Sequence, residues 1–113
     1  MATNKINKVF GILNGTCNYI LSEMESSKES FSNVLKKAQI LGFAEPGNPK
    51  LDLNGYDALA KVRILSSLAF NKKISKNSCL MEGIENIETK DINLANQLNL
   101  RIKLLGITEL INN

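Results

Sequence analysis

Apolar and polar positions alternate in blocks that predict the elements. Ile6, Val9, Phe10 and Ile12 are β-formers, so residues 5–13 read as a strand that stops at the tight turn Asn14-Gly15-Thr16. Thr16 is the expected N-cap of a helix over residues 18–25, where Tyr19, Ile20 and Met24 fall on one stripe. After the polar link 26–29, Ser30 is expected to cap a second helix over 31–41. Phe31, Val34, Leu35, Ala38 and Leu41 form its inward face, and Gly42 is its stop. Residues 43–51, restrained by Pro46 and Pro49, read as an ordered loop. Asp52 or Asn54 then caps a third helix that runs to about Phe70. Its residues Ala58, Leu59, Ala60, Val62, Ile64, Leu65, Leu68 and Ala69 lie nearly all round, a pattern that normally means full burial. A polar turn over 71–77 leads to a short predicted strand over 78–84. Thr89 is expected to cap a fourth helix over 90–98, with Asp91 in its first turn. Residues 100–107 alternate as a strong strand. The order βαααβαβ predicts an α+β fold, a small sheet of about three strands with four helices packed on one face. Residues 1–113 are expected to form a single domain.

Two features of this pattern carry candidate chemistry. Asp57 and Lys61 stand four residues apart on the third helix, so their Cβ atoms should lie about 5–6 Å apart on one face. Glu45 and Asp52 precede them in the loop. These four residues are expected to form a polar pocket for a small zwitterionic substrate. The plain alternative is a lysine that snorkels, or that pairs with Asp57 along the helix for only ~0.3–0.5 kcal/mol if exposed. The strand–Asn14-Gly15-Thr16–helix order also converges backbone N–H groups on a point able to hold a carboxylate or phosphate. Its plain alternative is a helix cap and nothing more.

Composition narrows the field. The chain has 113 residues, 43% of them hydrophobic and 22% charged, as in ordinary globular proteins. Its charge of +3 is spread out, with Lys36-Lys37 and Lys72-Lys73 as doublets only, and aromatics make up 5%. A stacking platform for nucleic acid is therefore not expected. There is no histidine, and Cys17 and Cys79 lack metal-ligand spacing, which excludes His-based and C-x-x-C metal sites and Ser-His or Cys-His nucleophile pairs. The cysteines are expected to be reduced thiols, in keeping with a cytoplasmic location. No apolar run reaches the length of a membrane span, and the N-terminus does not read as a secretory signal.

The motifs resemble a known family. G-I-L-N-G-T-x-N-Y-I-L (11–21) is similar to the stretch that opens the catalytic domain of homoserine dehydrogenases. A-Q-x-L-G-F-A-E-P (38–46) and L-D-x-N-G-x-D-A-x-x-K (51–61) look like that family's signature, in order and near its spacing. E-G-I-x-N-I-x-x-x-D-I-x-x-A (82–95) and I-K-L-L-G-I (102–107) resemble its downstream landmarks.

The resemblance implies NAD- or NADP-dependent interconversion of L-homoserine and L-aspartate 4-semialdehyde, a step towards threonine and methionine. It implies that Lys61 is a catalytic lysine near the reacting oxygen, with Asp57 as its partner. Glu45 and Asp52 would be acidic substrate contacts. Gly15 and Thr16 would form the turn that approaches substrate and nicotinamide, with Glu45 also near the cofactor. Burial disfavours an ammonium's charged form and a neighbouring carboxylate favours it, so the two influences on such a lysine are opposed. A homodimer through the sheet is implied as well. No G-x-G-x-x-G follows a strand, so the family's cofactor-binding domain and its second active-site lysine are expected upstream, outside this chain. The last strands of the catalytic domain are likewise expected beyond Ile107. Gly47-Asn48 resembles a one-residue loop expansion, and Cys17 stands where the family often has a threonine or another small residue. On this reading the isolated chain is a substrate-binding and dimerising part without turnover of its own. A non-enzymatic dimerisation or interaction module is the alternative from a different class. An amino-acid sensor has less support, because no sensor repeat is present.

Overall fold

The computed structural model describes residues 6–47 and 49–110, and of Leu51 and Asp52 only the backbone. Strand β1 (Lys8–Gly11) is followed by helix α1 (Gly15–Ser27), helix α2 (Phe31–Ile40) and the single turn α3 (Lys50–Leu53). Helix α4 (Tyr56–Phe70), a 3-10 turn (Lys76–Ser78), helix α5 (Thr89–Gln97) and strand β2 (Gly106–Glu109) complete the order.

The core is built around α1. Cys17, Ile20, Leu21 and Met24 recur at helical spacing and are fully or almost fully buried. Around them lie Val34 and Ala38 of α2, Ala44, Leu53 of α3, Ile84 and Ile92 of α5. Each large apolar side chain buried this way contributes about 1.5–3 kcal/mol relative to exposure. The sheet lies to the side. β1 and β2 pair antiparallel, with Val9 opposite Thr108, Phe10 opposite Ile107 and Gly11 opposite Gly106. Side chains alternate across the pleat, so Val9 and Thr108 turn inward while Phe10 and Ile107 turn out to solvent. Helix α4 covers the inner face, where Ser66 Oγ donates to the Val62 carbonyl at 2.8 Å and lies 2.6 Å from Thr108 Oγ1. Gly106 permits this approach, since a Cβ there would meet Leu13 and Val62 side-chain carbons at 2.5 Å.

The α+β class holds, but the layering differs from expectation. Among the described residues the sheet has two strands rather than three, and α1 packs on α2, α3 and α5 instead of sharing one sheet face with them. Residues 78–84 are not a strand. Side chains of the Ser-Lys-Asn-Ser run bond locally to backbone, Ser78 Oγ to the Ser75 carbonyl at 2.8 Å and Asn77 N–H to Ser75 Oγ at 3.3 Å, and such bonds compete with a ladder. The predicted strand over 100–107 is shortened and displaced to Gly106–Glu109. At Leu104 a side chain replaces the partner strand, because Asn18 Oδ1 accepts from Leu104 N–H at 2.8 Å and Asn18 Nδ2 donates to its carbonyl at 3.1 Å.

The caps are shifted too. Asn14, not Thr16, caps α1 through its side-chain oxygen and the Cys17 N–H, 2.8 Å apart. Ser30 caps α2 as expected. Glu88 rather than Thr89 precedes α5, and its N–H donates to the Asp91 carboxylate at 2.8 Å. Gly55, at φ +90°, starts α4, while Asn54 Oδ1 accepts from Tyr56 N–H at 2.9 Å. Helix α4 is not buried all round: Ala58, Leu59 and Ser66 face inward, whereas Leu68 is 78% exposed and Ile64 is exposed too. One sheet face can cover only one side of a helix.

Gly83 fastens the long connection to α3. Ile84 N–H donates to the Leu53 carbonyl at 2.8 Å, and a Cβ on Gly83 would run into the Leu53 carbonyl oxygen and the Asn54 backbone. Gly83→Ala is therefore expected to destabilise the chain by roughly 2 kcal/mol or more, read as a lower urea midpoint with an unchanged m-value. A midpoint equal to that of the unaltered protein would rule out this contact.

Candidate active site

The candidate site grows from the start of α4. Asp57 lies in the first turn, where the helix dipole favours an anion. Four residues on, Lys61 Nζ stands 3.0 Å from Asp57 Oδ2. A pair of this kind within one helix is the plain expectation, but two further bonds tie it to a distant part of the chain. Lys61 Nζ donates to the Leu13 carbonyl at 2.8 Å, and Asn14 Nδ2 donates to the same Asp57 Oδ2 at 3.0 Å. The turn between β1 and α1 thus clamps both members of the pair. An ammonium has three N–H donors, and two are engaged here.

The pair is half-buried rather than enclosed, with the side chain of Lys61 48% exposed and that of Asp57 38%. This corrects the expectation of a lysine inside a buried helix: the inward positions of α4 are Ala58, Leu59 and Ser66, and Lys61 falls between that face and solvent. At such exposure the charge pair contributes little to stability, about 0–1 kcal/mol. Its significance is geometric, because three groups from two segments fix where the ammonium points.

The other predicted residues fall along one path through the chain. Gly15 directly follows Asn14 and is exposed, and a Cβ there would meet nothing within 4 Å, so the space beside it is open. Thr16 is occupied with packing: its hydroxyl donates to the Phe43 carbonyl at 3.0 Å, which joins the start of α1 to the loop that carries Glu45. That loop is held from the other side by Gln39 Nε2, which donates to the Glu45 carbonyl at 2.9 Å, and by the Tyr19 and Phe43 rings at 4.7 Å. The Glu45 carboxylate is exposed and makes no ion pair with Lys61. The side chain of Asp52 lies outside the described residues. The structure therefore joins Lys61 and Asp57 directly and ties them, through Leu13 and Asn14, to the turn that carries Gly15 and Thr16, while the Thr16 hydroxyl reaches the loop that carries Glu45 at Phe43. An apolar cleft of about 1000 Å³ opens elsewhere, between α4, residues 78–84 and β2, and neither Lys61, Asp57 nor Glu45 lines it.

Sequence reasoning passed over Asn14 and Asn18. Asn14 is 4% exposed, and its carbonyl accepts from Asn18 Nδ2 at 3.0 Å. A signal was present, since asparagine ranks with serine and aspartate at N-caps, and Asn14 precedes by three the N–H it caps. The contact with Asp57 has no local signature.

Comparison with known proteins gives one answer. A sequence model of the family described as homoserine dehydrogenase matches residues 1–112. The chain is 46% identical over 108 residues to a homoserine dehydrogenase of Neisseria gonorrhoeae, covering 96% of this chain and 25% of that protein. It is 47% identical over 109 residues to one of Helicobacter pylori, covering 96% of this chain and 26% of that protein. A crystal structure of the S. aureus homoserine dehydrogenase superposes with a TM-score of 0.93 at 45% identity, over 96% of this chain and 27% of that one. The chain spans about a quarter of the length of the curated relatives it matches.

Proposed function

Because the chain belongs to the homoserine dehydrogenase family, we propose that it is the substrate-binding and proton-handling part of such an enzyme's catalytic domain, acting in the interconversion of L-homoserine and L-aspartate 4-semialdehyde. The observation that carries this reading is the clamp on Lys61. An ammonium held by the Leu13 carbonyl and the Asp57 carboxylate, with one N–H left over, suits the oxygen that is alcohol on one side of the reaction and carbonyl on the other. In the reducing direction Lys61 hydrogen-bonds the carbonyl oxygen and supplies its proton as that oxygen becomes a hydroxyl. In the oxidising direction the same nitrogen takes the hydroxyl proton back. Asp57 keeps the ammonium in place through either transfer. Glu45 and Asp52 supply carboxylates for the substrate's ammonium group, and the open side of Gly15 leaves room for the substrate beside α1.

A nicotinamide dinucleotide, NAD or NADP, takes up or returns the hydride in this reaction. By themselves the described residues of this chain do not make a complete site for it. The Cys17 N–H at the start of α1 is bonded to Asn14, and no G-x-G-x-x-G follows β1. In this reading the dinucleotide is held by another part of the enzyme, with Gly15, Thr16 and Glu45 at its edge. The isolated 113-residue chain then has no turnover. A spectrophotometric assay with homoserine and either dinucleotide should stay at the blank rate, and sustained formation of the reduced cofactor would sink that part of the proposal.

Among the described residues no helix is long and apolar enough to cross a membrane. A cytoplasmic enzyme of amino-acid biosynthesis, leading to threonine and methionine, accords with that.

A second reading is favoured by the outer face of the sheet. Phe10 and Ile107, paired across β1 and β2, are exposed together with Ile12 and Leu105. A contiguous apolar patch of this kind marks an interaction surface, and a second copy of the chain is the occupant this reading assigns to it. It makes the chain a non-enzymatic homodimerising part, in which Lys61 has no substrate to hold. Sedimentation velocity should show a dimer that Phe10→Glu converts to monomer, and an unaltered monomer at all concentrations would refute it.

Calorimetric titration with L-homoserine separates the two readings. Heat of binding is expected from the unaltered chain and is expected to disappear with Lys61→Ala. Equal heats, or none from either, would leave only the dimerising module.

A further inference from the structure

We propose that Asn14 is a positioning residue for the Asp57–Lys61 pair: one end of its side chain caps α1 and the other holds the Asp57 carboxylate. The functional meaning rests on the reading of Lys61 as the proton-handling group, but the positioning itself does not.

The amide has only one sensible orientation. Cys17 N–H can only donate, so it faces Oδ1, at 2.8 Å. An ionised Asp57 can only accept, so it faces Nδ2, at 3.0 Å. A flipped amide would set donor against donor and acceptor against acceptor. Few residue types can fill both roles. Serine and threonine cap a helix well but are too short to reach a second partner, and aspartate would cap while turning a carboxylate against Asp57. Both clamps on the pair come from adjacent residues, since the Leu13 carbonyl accepts from Lys61 and the Asn14 amide donates to Asp57. The turn is itself anchored. Asn14 is buried, its carbonyl accepts from Asn18 Nδ2 at 3.0 Å, and Asn18 holds Leu104 by two bonds of 2.8 and 3.1 Å. The direction of the unused Lys61 N–H is thereby set by the same turn that presents Gly15 and Thr16.

Cap and clamp can be separated in the chain as it stands. The readout is the rate at which acetyl N-hydroxysuccinimide ester acylates Lys61, resolved by peptide mass spectrometry against Lys90 in the same molecules. Lys90 is paired with Glu88, remote in sequence from the turn. Asn14→Ser keeps a capping oxygen and removes the Nδ2 donor, its own hydroxyl being too short to reach Asp57. It is expected to leave the melting temperature close to that of the unaltered protein while raising the Lys61-to-Lys90 ratio roughly threefold, the scale of one lost hydrogen bond. A helix cap alone would be rescued by serine in both measurements, so an unchanged ratio overturns the proposal.

Should Asn14→Ser not fold, Asp57→Ala alters only a half-exposed side chain. There the Asn14 Nδ2 protons should exchange with solvent several-fold faster by NMR, while Cys17 N–H stays protected. Equal exchange in both proteins overturns the proposal as well. Neither readout involves homoserine. A chain that passes both and gives no heat with homoserine keeps Asn14 as a positioning residue and loses the proposed substrate.

Discussion

Helix α1 can hold its first turn still only because its apolar stripe is completely sequestered. Cys17, Ile20, Leu21 and Met24 meet side chains from α2, α3, α5 and two loops, and this contact surface is the centre of the molecule. The candidate site sits at the end of that helix. Leu13 and Asn14 can clamp Lys61 and Asp57 because Asn14 is itself buried and bonded to the fully buried Cys17 one turn on. The energetics are divided accordingly: the apolar stripe supplies stability, and the polar groups at its end supply direction.

That division explains a site that is half open. A charged pair withdrawn fully from water would incur a desolvation penalty that its mutual attraction can fail to offset. Leaving Lys61 and Asp57 partly solvated avoids most of this penalty and keeps the lysine reachable by a small polar ligand. The usual disadvantage of exposure, a wandering side chain, is met by anchoring the head group at the Leu13 carbonyl and the Asp57 carboxylate rather than by enclosing it.

Asparagine side chains recur where the backbone runs out of partners. Asn14 satisfies an N–H at the start of α1, Asn18 satisfies both backbone groups of Leu104, and Asn54 bonds the first N–H of α4. The Leu104 case accounts for the largest error in reading this chain as a sequence. Alternation over 100–107 is real, and Ile102 and Leu104 do pack against the core, but the hydrogen-bond partner at Leu104 is a side chain on a helix rather than a strand. Alternation reports which residues turn inward, not what pairs with the backbone. The expected strand over 78–84 has the converse outcome: the N–H groups of Ser78 and Cys79 close a local turn and that of Ile84 bonds the Leu53 carbonyl, so none of the three joins a ladder.

The sequence by itself determined what depends on near neighbours. The apolar stripe of α1, the inward Val34 and Ala38 of α2, the cap at Ser30 and the Asp57–Lys61 pair all follow from spacings of three or four residues, which helix geometry turns into contact. The motifs also disclosed the family before any fold was in hand. Tertiary structure alone decided which side of α4 is covered, where the strands begin and end, and what holds the ion pair. The bonds from Asn14 to Asp57, from Lys61 to Leu13 and from Asn18 to Leu104 join residues 43, 48 and 86 positions apart. No local rule sets such distances; they exist because burying α1 brings its N-terminal end against both α4 and the approach to β2.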